Sequence, residues 1–118
     1  MREVLRKHHI SFKNAFSGLF WALRTQPNFR VHFILSVLAI ALAIYLRITY
    51  IEQTIILFTI VLGLTAEMIN TSIEAMTDLI TKEWRKEAKI AKDVSAGMML
   101  MVAITATVVA VIIFRPYI

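Results

Sequence analysis

Four polar residues, Glu67, Asn70, Glu74 and Asp78, recur at intervals of three and four within the stretch AEMINTSIEAMTD. On an α-helix turning 100° per residue they fall inside an arc of about 80°, so three carboxyl groups and an amide share one face. Carboxyl groups in this arrangement suit two tasks. One is to take a proton from a reacting hydroxyl. The other is to hold a magnesium ion, which is usually bound through one or two carboxylates together with substrate phosphates and water.

A second polar cluster, EWRKEAKIAKD, follows within a few residues. Lys89, Lys92 and Asp93 stand at i, i+3 and i+4, which brings all three near one another on a helix. Taken alone, such a run is a solvated, charged helix end. Facing the carboxylate stripe across a short connection, it becomes a phosphate-holding side.

Other chemistry is excluded by what is missing. The chain has no cysteine, so thiolate nucleophiles, thiolate metal sites and disulfides are ruled out. Its only glycines are Gly18, Gly63 and Gly97, too few and too scattered for a Walker loop or a Gly-rich kinase loop. The histidines His8, His9 and His32 lack a metalloprotease spacing. Gly97, with Ser95 and Ala96, reads as a place where helices pack closely. Trp21, Trp84 and Tyr117 read as interfacial anchors, and the six methionines as apolar filling.

The elements that must position these residues belong in a membrane. Of 118 residues, 58% are hydrophobic and 18% charged, more apolar side chain than a globule of this size can hide from water. Val94 to Phe114 carries no charge and is long enough to cross a bilayer core of about 30 Å. Residues 28–47 form another span. Residues 54–81 contain no proline and should make one continuous helix of about 42 Å, which outruns the hydrocarbon layer. If Thr54 marks its outer boundary, the inner boundary falls near Ile73. Glu67 then lies roughly 9 Å inside, Glu74 at the boundary and Asp78 among the headgroups.

Ahead of the spans, residues 10–24 place Phe12, Phe16, Leu19, Phe20 and Leu23 at helical spacing, with Lys13, Asn14 and Ser17 between them. This is the pattern of a helix lying on a membrane surface, the alternative being a helix packed on the water-exposed end of the bundle. The first 30 residues are mixed and basic, unlike a cleaved signal peptide. No repeat, low-complexity stretch or linker divides the chain, so residues 1–118 read as one domain. The expected fold class is therefore an all-α membrane protein: an N-terminal amphipathic surface helix and three transmembrane helices, at about 28–47, 54–81 and 93–115.

Charge sets the orientation. Arg2, Arg6, Lys7, Lys13, Arg24 and Arg30 precede the first span, and Lys82, Arg85, Lys86, Lys89 and Lys92 lie between the second and third. Only Arg47 and Arg115 fall on the other side. The positive-inside rule makes the N-terminus cytoplasmic and the C-terminus external. The net charge of +5 would by itself suit nucleic acid, anionic lipid or a nucleotide. Its placement on one membrane face favours membrane lipids and a nucleotide, and no nucleic acid.

A carboxyl group at the depth of Glu67 costs a few kcal/mol, roughly 3 on insertion scales, and ordinarily faces a polar cavity, a partner or a metal. The alternative is a protonated Glu67 that only ties helices together with Asn70. Glu74 and Asp78 on the same face argue for the functional reading. Depth separates the roles, with Glu67 suited to accept a proton and Glu74, at the water boundary, to hold Mg2+.

With these residues in hand, AEMINTSIEAMTDLI followed by AKIAKDVSAG resembles the signature of the prokaryotic diacylglycerol kinase and undecaprenol kinase family. FKNAFSGLFWALRTQPNFRVH before the first span supports it, so the resemblance covers Ser11 to Phe114. It implies a small lipid kinase of the bacterial cytoplasmic membrane, unrelated to soluble kinases, that works as a homotrimer with active sites between subunits and uses ATP with Mg2+. It further implies Glu67 as the catalytic base toward the lipid hydroxyl and Glu74 as the ligand of metal and nucleotide phosphates. Asn70 would support the site. Lys92 and Asp93 would bind nucleotide, Glu83 and Trp84 would lie near it, and Lys7 and Asn14 match N-terminal nucleotide contacts.

One position departs from the pattern. Relatives commonly carry a glutamate as a second metal ligand where this chain has Gln26, whose amide oxygen ligates more weakly. AKDVSAG and the terminal IFRP look more like the undecaprenol-phosphorylating branch, so undecaprenol is the favoured acceptor and diacylglycerol the alternative. Two non-enzymatic readings of the residues remain beside it: an oligomeric ion or proton conduit, and a small subunit of a larger membrane complex.

Overall fold

A computed structural model describes all 118 residues, Met1 to Ile118. Four helices account for nearly the whole chain: α1 (Arg2–Thr25), α2 (Pro27–Leu46), α3 (Tyr50–Ile80) and α4 (Lys86–Phe114), closed by a 3-10 turn at Arg115–Tyr117. The last three are long and apolar enough to cross a membrane, which makes the chain an all-α, multi-pass membrane protein.

The breaks between helices have local causes. Gln26 is extended (φ −104°, ψ 105°) because a residue ahead of proline is kept out of the helical region, and Pro27 then opens α2 at a position where its missing N–H costs nothing. At the other end of α2, Arg47 adopts the left-handed conformation (φ 54°, ψ 46°). Its N–H donates to the Ile44 carbonyl and that of Ile48 to the Ala43 carbonyl, the paired bonds of a Schellman stop. Thr49 then caps α3, its hydroxyl oxygen accepting the Glu52 N–H at 3.2 Å. Polar Thr49 and Glu52, three apart, are the start signal of a capping box.

Three helices begin earlier than hydropathy alone suggests, α3 at Tyr50 in place of 54 because Thr49 caps it there. The surface helix, expected over 10–24, starts at Arg2, since REVLRKHH is rich in good helix formers and holds no glycine or proline. Leu5 thereby joins the stripe of Phe12, Phe16 and Leu19. Likewise α4 starts at Lys86, seven residues ahead of the expected span, because the charged KEAKIAKD turns are helical as well.

α3 packs along both α4 and α2, while α1 touches the bundle chiefly through α2. Every residue from Met1 to Trp21 is exposed, and Ala22 is the only buried residue of α1. The molecule measures 49 × 47 × 22 Å. α3 supplies one long dimension; three packed helices about 10 Å wide do not fill the other, so α1 extends away from the bundle. A small apolar core of Ala43, Ile48, Ile56, Ile113 and Phe114 joins the C-terminal ends of α2 and α4 to the N-terminal part of α3. Only 13 of 118 residues are buried, and large apolar side chains cover the outside of every helix. In water that surface would be untenable; against hydrocarbon or further copies of the chain it is the stable arrangement.

Candidate functional site

The C-terminal half of α3 carries an unusual share of the buried polar groups. Glu67 is 4% exposed, Asn70 7% and Thr77 9%. They are buried because the stripe turns toward α4, whose Ser95 is 3% exposed. The Ser95 hydroxyl donates to the Asn70 side-chain oxygen across the two helices. The Asn70 amide in turn reaches Glu74 at 3.5 Å, the weak limit of a hydrogen bond.

These contacts bear on the helix-glue reading of Glu67. The interhelical tie runs from Asn70 to Ser95 and leaves Glu67 out. Glu67 is thus a buried carboxyl with no hydrogen-bonding work inside the chain. Ser95 was read from sequence only as part of a packing contact with Gly97. The structure gives it the polar tie, and a Cβ added at Gly97 would meet nothing within 4 Å, so no close approach is made there within one chain.

Beyond the C-terminal end of α3 lies a cleft of about 440 Å³ between the last turn of α3, the Thr81–Arg85 connection and the first turns of α4. Lys82, Lys89 and Lys92 line it together with Asp78, Glu83 and Asp93. The expected grouping of Lys89, Lys92 and Asp93 divides. Lys89 pairs with Asp93 along α4, whereas Lys92, rotated 100° from Asp93, reaches across to Asp78 at 2.7 Å. The latter pair latches the start of α4 to the end of α3. Both pairs are largely exposed, so they are exchangeable contacts rather than a fixed core. Glu83 pairs with Arg85 at 3.0 Å.

Not every residue of the expected set converges in one chain. Gln26 sits at the α1–α2 break, its amide donating to Thr25 at 3.3 Å, and no hydrogen bond joins it to Glu74. Lys7 and Asn14 stand two turns apart on one face of α1, on the exposed stretch that projects from the bundle. Glu67, Asn70, Glu74 and Asp78 do share a face, and Asp78, Glu83, Lys92 and Asp93 share the cleft. Sequence reasoning missed Ser95 and the Asp78–Lys92 partnership. The i, i+3 spacing of Lys92 and Ser95 was the available signal.

A second, mostly apolar groove of about 380 Å³ runs between α2, α3 and α4 on the N-terminal side of Glu67 along α3. Gly63 and Leu64, one turn from Glu67, form its near end with His32, and small side chains such as Ala39, Ala106 and Ala110 keep it open. Along α3, Glu67 follows Gly63 and Leu64 of this groove by one turn and precedes Thr77 of the charged cleft by about 15 Å of helix, lining neither.

Comparison with known proteins places this arrangement. The chain is 35% identical over 108 residues to a diacylglycerol kinase of Synechocystis sp., an overlap of 91% of this chain and 62% of that protein, so it spans less than two thirds of that relative. It is 31% identical over 115 residues to the undecaprenol kinase of Bacillus subtilis, covering 98% of this chain and 94% of that one. A diacylglycerol kinase of Escherichia coli is 27% identical over 94 residues, 80% of this chain and 77% of that protein. Residues 13–114, which contain both polar clusters and all three long apolar helices, match prokaryotic diacylglycerol kinase, and the chain belongs to that family of lipid kinases.

Proposed function

We propose that this protein transfers the γ-phosphoryl group of ATP to the hydroxyl of a membrane lipid alcohol, with undecaprenol as the favoured acceptor and diacylglycerol as the alternative. The observation that carries the proposal is Glu67, a buried carboxyl without a hydrogen-bond partner in the chain, one turn from the apolar groove and on the same helix face as Asp78 of the charged cleft. An amphiphilic alcohol can leave its hydrocarbon chain in the groove and bring its hydroxyl to Glu67.

In the reaction the lipid O–H gives its proton to the Glu67 carboxylate while its oxygen bonds to the γ-phosphorus. The bond from that phosphorus to the bridging oxygen breaks, and ADP departs. Lys92 and Lys89 supply positive charge on the phosphate side. Asn70, fixed by Ser95, holds the carboxylate stripe in register. Asp93 positions Lys89, and Glu83 shapes the cleft mouth.

The donor set fits magnesium. No three carboxylates or histidines converge within the chain, and a single boundary carboxylate is enough for an ion held mainly by phosphate oxygens and water. Glu74 would hold it, with the Gln26 amide oxygen as a weaker second ligand; bound there, it neutralises phosphate charge. We further propose that the protein works as a homotrimer with sites shared between subunits and a cytoplasmic N-terminus. The small buried fraction supports assembly. The exposed Lys7 and Asn14 on a projecting helix support contact with a neighbour's nucleotide.

The deciding experiment gives purified protein labelled ATP, Mg2+ and, in parallel, undecaprenol and diacylglycerol. Label should enter undecaprenol fastest. Preference for diacylglycerol would exchange the two acceptors. Transfer to neither, from protein that binds nucleotide, would overturn the kinase reading.

A further inference from the structure

Four polar side chains line the otherwise apolar groove between α2, α3 and α4: His32, Ser36, Thr59 and Thr107. Three of them are spent on their own helices. The Ser36 hydroxyl donates to the His32 carbonyl at 2.6 Å, that of Thr59 to the Ile55 carbonyl at 2.7 Å and that of Thr107 to the Ala103 carbonyl at 2.9 Å. A hydroxyl bonded to the preceding turn has no proton left for a ligand. The His32 imidazole makes no hydrogen bond within the chain, so it is the one lining side chain with a donor to offer.

Its place in the groove matters as much as its chemistry. α2 and α3 run antiparallel about the short connection at 47–49, and their lining residues step together, Ala39, Ser36 and His32 on α2 against Ile56, Thr59 and Gly63 on α3. His32 is therefore level with Gly63, at the end of the groove nearest Glu67, which follows four residues later on the same face of α3. Gly63 leaves that end open, since a Cβ added there would meet only Val102, at 4.0 Å. From Gly63 to Ile56 the groove runs about 10 Å along α3 between mainly apolar walls.

We infer that His32 holds the hydroxyl of the acceptor lipid at this end of the groove, as its sole side-chain polar contact there, and so selects a lipid alcohol with no other polar atom. The inference rests on the lipid-kinase reading given above, with Glu67 as base. An imidazole N–H donates to one lone pair of the hydroxyl oxygen, which leaves the O–H free to donate to Glu67 and the second lone pair free to attack phosphorus. The histidine gives up no proton; it positions the nucleophile. A polyprenol meets this site with its one oxygen. The ester carbonyls of a diacylglycerol would lose their water in a groove whose other side-chain donors are all occupied.

The chain has three histidines, so His8→Gln with His9→Gln leaves His32 as the sole imidazole of the full-length protein. In detergent micelles, undecaprenol should move its side-chain nitrogen NMR resonances saturably. Squalene, an isoprenoid hydrocarbon without a hydroxyl, should leave them in place. His32→Leu should raise the KM for undecaprenol about tenfold, as loss of one hydrogen bond does, with the KM for ATP unchanged. His32→Gln, which keeps an N–H donor, should recover most of that loss. Wild-type protein should phosphorylate oleyl alcohol, a straight-chain lipid with one hydroxyl, in preference to dioleoylglycerol. Unmoved resonances, a response to squalene, an undecaprenol KM like wild type in His32→Leu, or preference for dioleoylglycerol over oleyl alcohol would each overturn the inference while sparing the kinase reading. Transfer from ATP to none of the three alcohols would overturn both.

Discussion

The Ser95 hydroxyl of α4 is hydrogen-bonded to the Asn70 amide oxygen of α3, a buried contact between residues 25 positions apart. It fixes the rotation of α3 against α4, and with it the direction in which Glu67 and Glu74 point. A buried polar pair of this kind specifies geometry more than it adds stability.

Ser95→Ala should accordingly cost about 1 kcal/mol of stability, since the Asn70 oxygen is left buried without its donor. Thermal unfolding in detergent checks the cost, and Ser95→Thr, which keeps the hydroxyl, should recover most of it. The same Ala variant should lose turnover beyond the loss of folded protein.

Removing the proposed base should separate chemistry from binding. Glu67→Gln keeps the shape and loses the proton acceptor, so lipid phosphorylation should fall about a hundredfold or more, while AMP-PNP binding stays within about threefold of wild type. Phosphate transfer and calorimetry on one preparation measure both. Turnover like wild type would remove Glu67 from the base role.

Magnesium dependence should centre on Glu74. Chelation with EDTA should abolish transfer, and Glu74→Gln should raise the magnesium concentration needed for half-maximal activity about tenfold or more, as expected when a site of one or two carboxylates loses one. Gln26→Glu should shift that requirement downward. An unchanged requirement in Glu74→Gln would move the ion elsewhere.

At the outer end, Arg47 occupies a left-handed position that favours glycine. Arg47→Gly should preserve the Schellman stop and raise stability by up to about 1 kcal/mol, with no effect on kinase activity at the opposite face. Denaturation midpoints and transfer assays test the two halves separately.

Much of this was legible from residue order. The shared face of Glu67, Asn70, Glu74 and Asp78 follows from helical periodicity alone, and Pro27 announces the break after α1. What was not legible depends on rotation and on distant partners. Lys92 and Asp93 are adjacent, and the only local sign of which turns inward is the spacing of Lys92 from Ser95; the partner of Lys92 is Asp78, 14 residues back across the connection. Ser95 sits in an apolar run and acquires its role only when α4 docks on α3. The early starts of α1 and α4 were hidden because hydropathy marks where lipid begins, while backbone propensity decides where a helix does.

The unbroken course of α3 from Tyr50 to Ile80 makes the helix a ruler between the two leaflets. With no break in the helix, a thicker bilayer draws all its carboxyls inward together, and a thinner one lifts them toward water. Acyl-chain length in the host membrane thereby becomes a dial on how far the acceptor hydroxyl must travel to meet its phosphate.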